Sequence, residues 1–421
     1  MNLSERDRAV NWHPYTQMKT ADDIIPIVRG EGIYLFDDEG KQYIDAVSSW
    51  WVTLHGHAHP YIAKRVSEQL HTLEQVIFAG FTHEPAIQLS ENLLKILPEN
   101  QKKIFYSDNG STAVEVALKI CIQYAYNHDN KKTKILAFKN AYHGDTFGAM
   151  SVSGRSAWTN PFGEMLFEVI FIDVPNAENL DHLKTFIKSI SDEIACFIYE
   201  PLIQGAAGML MHKAEDLSEL MKFCREQKIL MIQDEVFTGF GRTGKLFAAD
   251  HLSDQPDIMC FSKGLTGGTM PMGITSCSQE IFEAFLSDDQ HKTLFHGHSF
   301  TANPLACTAA LASMELLLQA ETLRNIDFIV KKHTVFSEVL RQHSKVDHVR
   351  QTGTIIAWEV INNYQTSYFN TTGKILYKEF LKRGIILRPL GNTMYLVPPY
   401  CVTAEQLEYI YYQIIEVLDH F

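Results

Sequence analysis

The sequence lacks the marks of disulfide-rich, nucleic-acid-binding and membrane proteins. Its seven cysteines are an odd number at long spacings with no C-x-x-C pair, which excludes a disulfide framework and a cysteine-rich zinc site. A net charge of −13 argues against a nucleic-acid binder. The chain has no run of about 18 apolar residues that could span a membrane, and its first residues show no signal peptide. We therefore expect a cytoplasmic protein.

Five short apolar runs in the middle of the chain alternate with helical stretches such as 215–227. This alternation predicts an α/β fold with a largely parallel sheet that is covered on both faces. The chemistry of such sheets gathers at the carboxyl ends of the strands. The runs are 134–140, 166–175, 194–201, 228–236 and 256–264.

Both ends of the chain carry a different pattern. Residues 32–45 predict a hairpin that turns at Asp38-Glu39-Gly40. Residues 384–399 predict two strands joined at a Gly-Asn turn. At 421 residues the chain is long for one core, so the two ends are expected to form a smaller domain beside the central sheet.

Two of the strand ends carry charged residues. Lys263 follows an apolar run and precedes a glycine-rich loop, and a partly buried lysine there could form a Schiff base with a carbonyl. A solvated lysine after a strand is the alternative. Asp234 ends another run and could bind a metal, act as a base or hold a cationic ring nitrogen, or it could simply cap a turn.

Two further segments suit a phosphate and a planar ring. Gly110-Ser111 begins a helical pattern, where free N–H groups and a hydroxyl could bind phosphate, and Thr112 with Glu115 forms a potential capping box. Tyr142 follows a predicted strand and could stack on a cofactor. A plain helix cap and a core tyrosine are the alternatives.

The remaining candidates concern a substrate pocket. Trp50 and Trp51 cannot both face one core from a strand, so one of them is expected at a cavity. Arg388 lies in an apolar run and needs an anionic partner, either an internal carboxylate or a substrate. Three histidines at spacing two (55, 57 and 59) lack an accompanying carboxylate or cysteine pattern, so no metal site is expected.

Four of these candidate sites could bind different groups of a single ligand. It needs an aldehyde for Lys263, a basic ring nitrogen for Asp234, a ring face for Tyr142 and a phosphate for Gly110-Ser111. Pyridoxal 5′-phosphate has all four groups.

Two stretches near the proposed lysine carry a family resemblance. IQDEVFTGFGRTGKLFA (232–248) and PDIMCFSKGLTGG (256–268) resemble the signature of class III, fold type I, pyridoxal-phosphate aminotransferases. The resemblance implies a large cofactor-binding domain at 56–320. It also implies a smaller α+β domain made of 1–55 and 321–421.

Other motifs resemble one branch of this class, which aminates 8-amino-7-oxononanoate in biotin biosynthesis. The branch implies a homodimer with active sites at the interface and adenosylmethionine or lysine as amino donor. Two half-reactions through one cofactor predict ping-pong kinetics. Another class III transaminase acting on an ω-amino acid or a diamine is the alternative. The motifs are WHPYTQM (12–18), SSWW (48–51), HGHAHP (55–60), NAYHGDTFGAMS (140–151) and RPLGNTMYLVPPY (388–400).

The resemblance also implies a role for each matching residue, with Gly297, His298 and Ser299 reaching the site of the neighbouring subunit. Some members have Pro-Thr where this chain has His298-Ser299, so Ser299 still provides the hydroxyl for the phosphate. The implied catalytic residues are Lys263, Asp234 and Tyr142; the cofactor-binding residues are Gly110, Ser111, Tyr142, Asp234, Lys263, His298 and Ser299; and the substrate-binding residues are Tyr15, Trp50, Trp51, Tyr142, Gly297, Arg388 and Tyr395.

Overall fold

The computed structural model describes residues 1–130, 132–361 and 371–421. No helix among these residues combines the length and apolar character that crossing a bilayer requires. The strands are β1 (Ile27–Glu31), β2 (Tyr34–Asp37), β3 (Gln42–Asp45), β4 (Gln101–Ser107), β5 (Lys134–Phe138), β6 (Ile170–Ile172), β7 (Ile194–Tyr199), β8 (Ile203–Gln204), β9 (Leu210–Met211), β10 (Leu230–Asp234), β11 (Ile258–Phe261), β12 (Gly273–Ser278), β13 (Val346–Thr352), β14 (Ile355–Val360), β15 (Ile385–Ile386) and β16 (Thr393–Leu396).

Helices connect many of these strands. The longer helices are Leu3–Val10, Pro60–Leu70, Glu84–Ile96, Gly110–Asn127, Leu180–Ile190, Ala214–Glu226, Pro304–Leu317, Ala320–Arg341, Thr371–Lys382 and Ala404–His420, and shorter ones lie at Phe147–Val152 and Gln279–Glu283.

A seven-stranded sheet forms the centre of the molecule, in the order β4-β12-β11-β10-β7-β5-β6. Only β12 runs against its neighbours β11 and β4, while the other paired strands are parallel. The predicted, largely parallel α/β sheet is therefore confirmed. Each of the five predicted runs contains a strand, although the run at 166–175 is reduced to β6, an edge strand that pairs only with β5.

Both faces of this sheet are buried, as a parallel sheet requires. Along β7, Cys196 and Ile198 pack in the same cluster as the helix Gly110–Asn127. Their neighbours Phe197 and Tyr199 pack on the opposite face, with the helices Leu180–Ile190 and Ala214–Glu226. Side chains of β7 are therefore packed on both faces of the sheet.

Two smaller sheets use residues from the ends of the chain. In one of them, β15 pairs in parallel with β3, which supports the proposed small domain. The boundaries at 55 and 320 stay a prediction. The hairpin of β2 and β3 is confirmed. The two strands predicted within 384–399 are present as β15 and β16, and Leu390 and Thr393 form an isolated antiparallel bridge across the Gly-Asn turn. The strands do not pair with each other, because β15 joins β3 whereas β16 joins β14 in a different sheet.

Candidate active site

The carboxyl ends of β10 and β11 open into a cavity of about 520 Å³. The two strands are parallel neighbours, with Asp234 opposite Cys260. Asp234 is the last residue of β10, and Lys263 follows β11 by two residues. Both side chains line this cavity, so the sheet brings the two predicted residues together.

Lys263 lies in an aromatic corner of the cavity. Its Nζ is 4.6 Å from the ring centroid of Trp51 and 5.5 Å from that of Phe237. Burial lowers the pKa of Lys263 to about 8, although the charges of Asp234 and Glu200 oppose that shift. A lysine with this pKa is partly neutral near physiological pH, so its amine can act as a nucleophile or accept a proton.

Asp234 is buried and oriented by two neighbours. Its Oδ2 lies 2.7 Å from Nδ1 of His143, and its Oδ1 accepts the N–H of Val236 at 3.0 Å. Both oxygens are therefore held in place. The opposite ring nitrogen of His143, Nε2, is buried without a hydrogen-bond partner in the described part of the chain.

Glu200 is a second buried carboxyl in the cavity, and the sequence reasoning missed it. It directly follows β7, at the same sheet edge as Asp234. Its oxygens accept the N–H groups of Tyr142 and Gly205, both at 3.0 Å. Burial raises the pKa of Glu200 to about 7. The signal was present, because the strand-end rule that selected Asp234 applies equally to Glu200.

The helix Gly110–Asn127 points its N-terminus into the cavity. Asn109, Gly110 and Ser111 line the wall, and phosphate binding by the last two stays a prediction. The predicted Thr112–Glu115 capping box is wrong. Asn109 is the cap and accepts the N–H of Thr112 at 2.9 Å, while Glu115 instead accepts the N–H of Gly148 at 2.8 Å.

The hydroxyl of Ser111 is packed closely against the loop that follows β5. Its Oγ accepts the N–H of Asp145 at 2.8 Å. Gly144 has φ +134°, and a Cβ on it would come within 1.7 Å of that oxygen. Only glycine allows this approach, so the loop and the helix N-terminus form one surface.

Tyr142 separates the first cavity from a second one of about 660 Å³ and lines both. Its hydroxyl is 3.5 Å from that of Tyr15, which donates to Oδ2 of Asp145 at 2.5 Å. Burial raises the pKa of Tyr142, so its hydroxyl stays protonated. Tyr15 lines the second cavity but not the first.

Trp50 and Trp51 lie on a left-handed turn and not on a strand. The four residues Ser48–Trp51 have φ values of 50°, 46°, 75° and 74°. Left-handed backbone costs about 1–2 kcal/mol for each such residue, so other contacts must stabilise the turn. Trp51 is the buried member and lines the cavity, whereas Trp50 is 40% exposed and contacts Tyr15 with ring centroids 5.6 Å apart.

Several predicted site residues do not line the first cavity in this chain. Arg388 is exposed, against the prediction that it sits in an apolar strand, and its guanidinium lies 4.6 Å from the ring centroid of Trp50. Tyr395 is buried behind Trp51, with ring centroids 6.1 Å apart. The loop residues Gly297, His298 and Ser299 lie outside the residues that line the first two cavities.

The three histidines of 55–59 do not converge on one point. Nε2 of His55 is 3.1 Å from the hydroxyl of Ser313, and Nε2 of His57 is 2.9 Å from Asp45. Burial lowers the pKa of His55 to about 3. His55 and His57 therefore serve separate contacts, and His59 meets the ring of His55 edge-on with centroids 6.2 Å apart.

Comparison with known proteins assigns the chain to a family. The model of the family "Aminotransferase class-III" matches residues 16–418. The chain belongs to aminotransferase class III. It is 45% identical to an adenosylmethionine-8-amino-7-oxononanoate aminotransferase of Synechococcus elongatus, over 97% of this chain and 98% of that protein.

Two solved structures share the fold of this class III aminotransferase. The enzyme of the same name from Methanocaldococcus jannaschii superposes with a TM-score of 0.95 at 35% identity, over 99% of this chain and 98% of the other. An omega transaminase from Pseudomonas jessenii, in complex with PMP, gives a TM-score of 0.93 at 27% identity, over 100% and 98%.

Class III aminotransferases use pyridoxal phosphate, and the cavity suits that group. A buried carboxylate and a lysine of lowered pKa stand at adjacent strand ends, and a helix N-terminus with a serine hydroxyl forms another wall. These are the donors and acceptors that a pyridine nitrogen, an aldehyde and a phosphate require. The residues therefore fit the cofactor.

Proposed function

We propose that this chain transfers an amino group to 8-amino-7-oxononanoate, giving 7,8-diaminononanoate in biotin biosynthesis. The observation that carries the proposal is the meeting of Lys263, Asp234 and the Gly110-Ser111 helix start in one cavity. Near-full-length similarity to relatives named for this reaction supports it.

The roles proposed for the cofactor side follow from the contacts. Asp234, oriented by His143, would keep the pyridine nitrogen protonated, and Gly110 with Ser111 would bind the phosphate. Tyr142 would lie against the ring. The bound cofactor supplies a carbonyl for amine exchange and an electron sink. Lys263, with its pKa near 8, would take a proton at Nζ and return it.

The roles proposed for the acceptor side rest on the aromatic walls and on Arg388. The acceptor has five methylenes and a terminal carboxylate. Burying the methylenes against Tyr15, Trp50 and Trp51 contributes about 4 kcal/mol at roughly 0.8 kcal/mol each. A charge-assisted bond from Arg388 to the carboxylate adds about 1.5–3 kcal/mol. The two free energies are similar, so both the aromatic walls and Arg388 should be needed to bind the acceptor. Tyr395 would support Trp51 from behind.

A donor panel tests the proposal. Purified enzyme with pyridoxal phosphate is given 8-amino-7-oxononanoate with adenosylmethionine, lysine or glutamate. We expect 7,8-diaminononanoate with at least one α-amino-acid donor, adenosylmethionine being the first choice. Initial-rate plots should be parallel, because one product leaves before the second substrate binds. No product with any donor, or intersecting lines, would contradict the proposal.

A second candidate is transfer from an ω-amino acid or a diamine. The TM-score of 0.93 against an omega transaminase favours it, at a lower identity of 27%. Adding 4-aminobutyrate, ornithine and putrescine to the panel with pyruvate as acceptor separates the two. Faster turnover of these amines than of 8-amino-7-oxononanoate would favour the alternative.

We also propose a cytoplasmic homodimer in which the partner completes the site. Loop residues Gly297, His298 and Ser299 would serve the neighbouring cavity, because they do not line the one in their own chain. The side chains of Phe295 and Phe300 beside them are 70% and 65% exposed, which supports a covered surface. The seven free cysteines are in keeping with a reducing compartment. A molecular mass of one chain in light scattering would contradict the dimer.

A further inference from the structure

The left-handed turn Ser48–Trp51 is tied to a single buried carboxylate. Asp45 is the last residue of β3 and has no exposed surface. Its Oδ1 accepts the N–H of Val47 at 3.3 Å, and its Oδ2 accepts the hydroxyl of Ser49 at 2.7 Å. Asp45 therefore bonds both the residue before the turn and a side chain within it.

The same carboxylate is itself held by the hairpin at the start of the chain. Nε2 of His57 lies 2.9 Å from Oδ2 of Asp45. The N–H of His57 donates to the carbonyl of Gly32 at 2.6 Å, which joins the two segments in an antiparallel bridge. Asp45 is thus a link between the turn and a firmly placed part of the sheet.

Two further hydrogen bonds of the turn involve main-chain carbonyls. The hydroxyl of Ser48 donates to the carbonyl of Val397 at 2.6 Å, and the guanidinium of Arg242 donates to the carbonyl of Trp51 at 3.3 Å. They hold its two ends. The middle of the turn, where φ of Ser49 is 46°, is held by the Asp45 carboxylate.

We propose that Asp45 is a positioning residue for the acceptor pocket. Its hydrogen bonds keep Ser49 in the left-handed conformation. They thereby hold the indole of Trp51 beside Lys263 and that of Trp50 beneath Arg388. The consequence for substrate affinity rests on the proposed function, whereas the placement of the two indoles does not.

The chain offers a matched control in Asp37, on the neighbouring strand of the same sheet. Asp37 also accepts three bonds, from the N–H groups of Glu39 and Lys41 at 3.1 and 2.8 Å and from the hydroxyl of Tyr43 at 2.9 Å. These bonds hold the β2–β3 hairpin and do not reach the tryptophans. Asp37→Asn and Asp45→Asn therefore make the same chemical change in different places.

Fluorine NMR of protein carrying 5-fluorotryptophan tests the placement directly. The chain has five tryptophans, and Trp50→Phe and Trp51→Phe assign the two that matter. We expect Asp45→Asn to shift or broaden the resonances of Trp50 and Trp51, and Ser49→Ala to do so less. The resonance of Trp358 should not change. Asp37→Asn should leave all five unchanged. Ser49→Ala removes a single hydroxyl from an exposed residue, so it decides the outcome should Asp45→Asn fail to fold.

Steady-state kinetics test the consequence for substrate. We expect Asp45→Asn to raise KM for 8-amino-7-oxononanoate roughly tenfold, which is less than the about 10²-fold that a misplacement of about 1 Å can cost, with a smaller change in kcat. Asp37→Asn should match the wild type.

Unmoved Trp50 and Trp51 resonances in both Asp45→Asn and Ser49→Ala would overturn the proposal, as would an equal effect of Asp37→Asn. A wild-type enzyme that ignores 8-amino-7-oxononanoate would refute the proposed function instead. The NMR result would still decide the role of Asp45.

Discussion

The two halves of the candidate site are built differently. The cofactor half places Asp234 and Lys263 at the ends of adjacent parallel strands whose neighbours are buried on both faces. The substrate half joins a left-handed turn carrying Trp50 and Trp51 to Arg388, which lies more than three hundred residues later in the chain. The first half follows from regular sheet geometry. The second half depends on a left-handed backbone and on contacts between residues that are far apart in the sequence. The effects of substitutions should therefore vary more from residue to residue there.

The largest effect is expected from removing the amine of the cofactor half. Lys263→Ala should lower kcat by about 10³-fold or more, because both the nucleophile and the proton acceptor are lost. Steady-state assay of the purified variant measures this. Lys222→Ala, an exposed lysine on the helix Ala214–Glu226, should retain full activity. If Lys263→Ala kept activity within tenfold of the wild type, the distinction between the two halves would be wrong.

An intermediate effect is expected in the substrate half. Arg388→Ala should lower kcat/KM for 8-amino-7-oxononanoate about 10- to 100-fold, which corresponds to the loss of one charge-assisted bond of about 1.5–3 kcal/mol. The cofactor spectrum should not change, since Arg388 contacts Trp50 and not the strand ends.

Arg383→Ala is the control for that variant, because this arginine pairs with Glu379 instead. Equal losses in both variants, or a changed cofactor spectrum in Arg388→Ala alone, would show that the halves are not separable in this way.

The smallest effect is expected on the pKa of Lys263 in the cofactor half. The charge of Glu200 raises the pKa of Lys263 and so works against burial. Glu200→Gln should therefore move the protonation midpoint of Lys263 below its value of about 8. In the cofactor-free enzyme, the rate of acetylation of Lys263 at each pH, followed by peptide mapping, reports this midpoint, because only the neutral amine reacts.

Glu405→Gln changes an exposed glutamate at the start of the helix Ala404–His420 and should leave that midpoint unchanged. An upward shift in Glu200→Gln would contradict the electrostatic account. Removing a negative neighbour destabilises the protonated amine and so lowers the pKa of Lys263. The neutral, reactive amine then forms at lower pH.

Sequence patterns were informative where periodicity controls the structure. The apolar runs predicted the strands that end near Asp234 and Lys263, because a buried parallel strand must be apolar on both faces. The same rule applied to 194–201 points to Glu200. His143 was harder to find, since its contact with Asp234 joins the loop after β5 to the end of β10, which is distant in sequence.

The substrate half was less predictable for a physical reason. The pattern around Trp50 suggested a strand, yet the turn takes positive φ values that local propensity disfavours. Its ends are bonded to Val397 and Arg242, which are far away in the sequence. Arg388 was placed in a strand that ends at Ile386. Contacts with residues remote in the sequence therefore contribute to the conformation of the turn.

Borohydride reduction of the enzyme with pyridoxal phosphate, followed by peptide mapping, is the most direct test of the account. We predict one pyridoxyl group for each chain, on Lys263, and none in Lys263→Ala. A pyridoxyl group on a different lysine of the native enzyme, or none at all, would contradict the assignment of the cavity at the ends of β10 and β11 as the cofactor site.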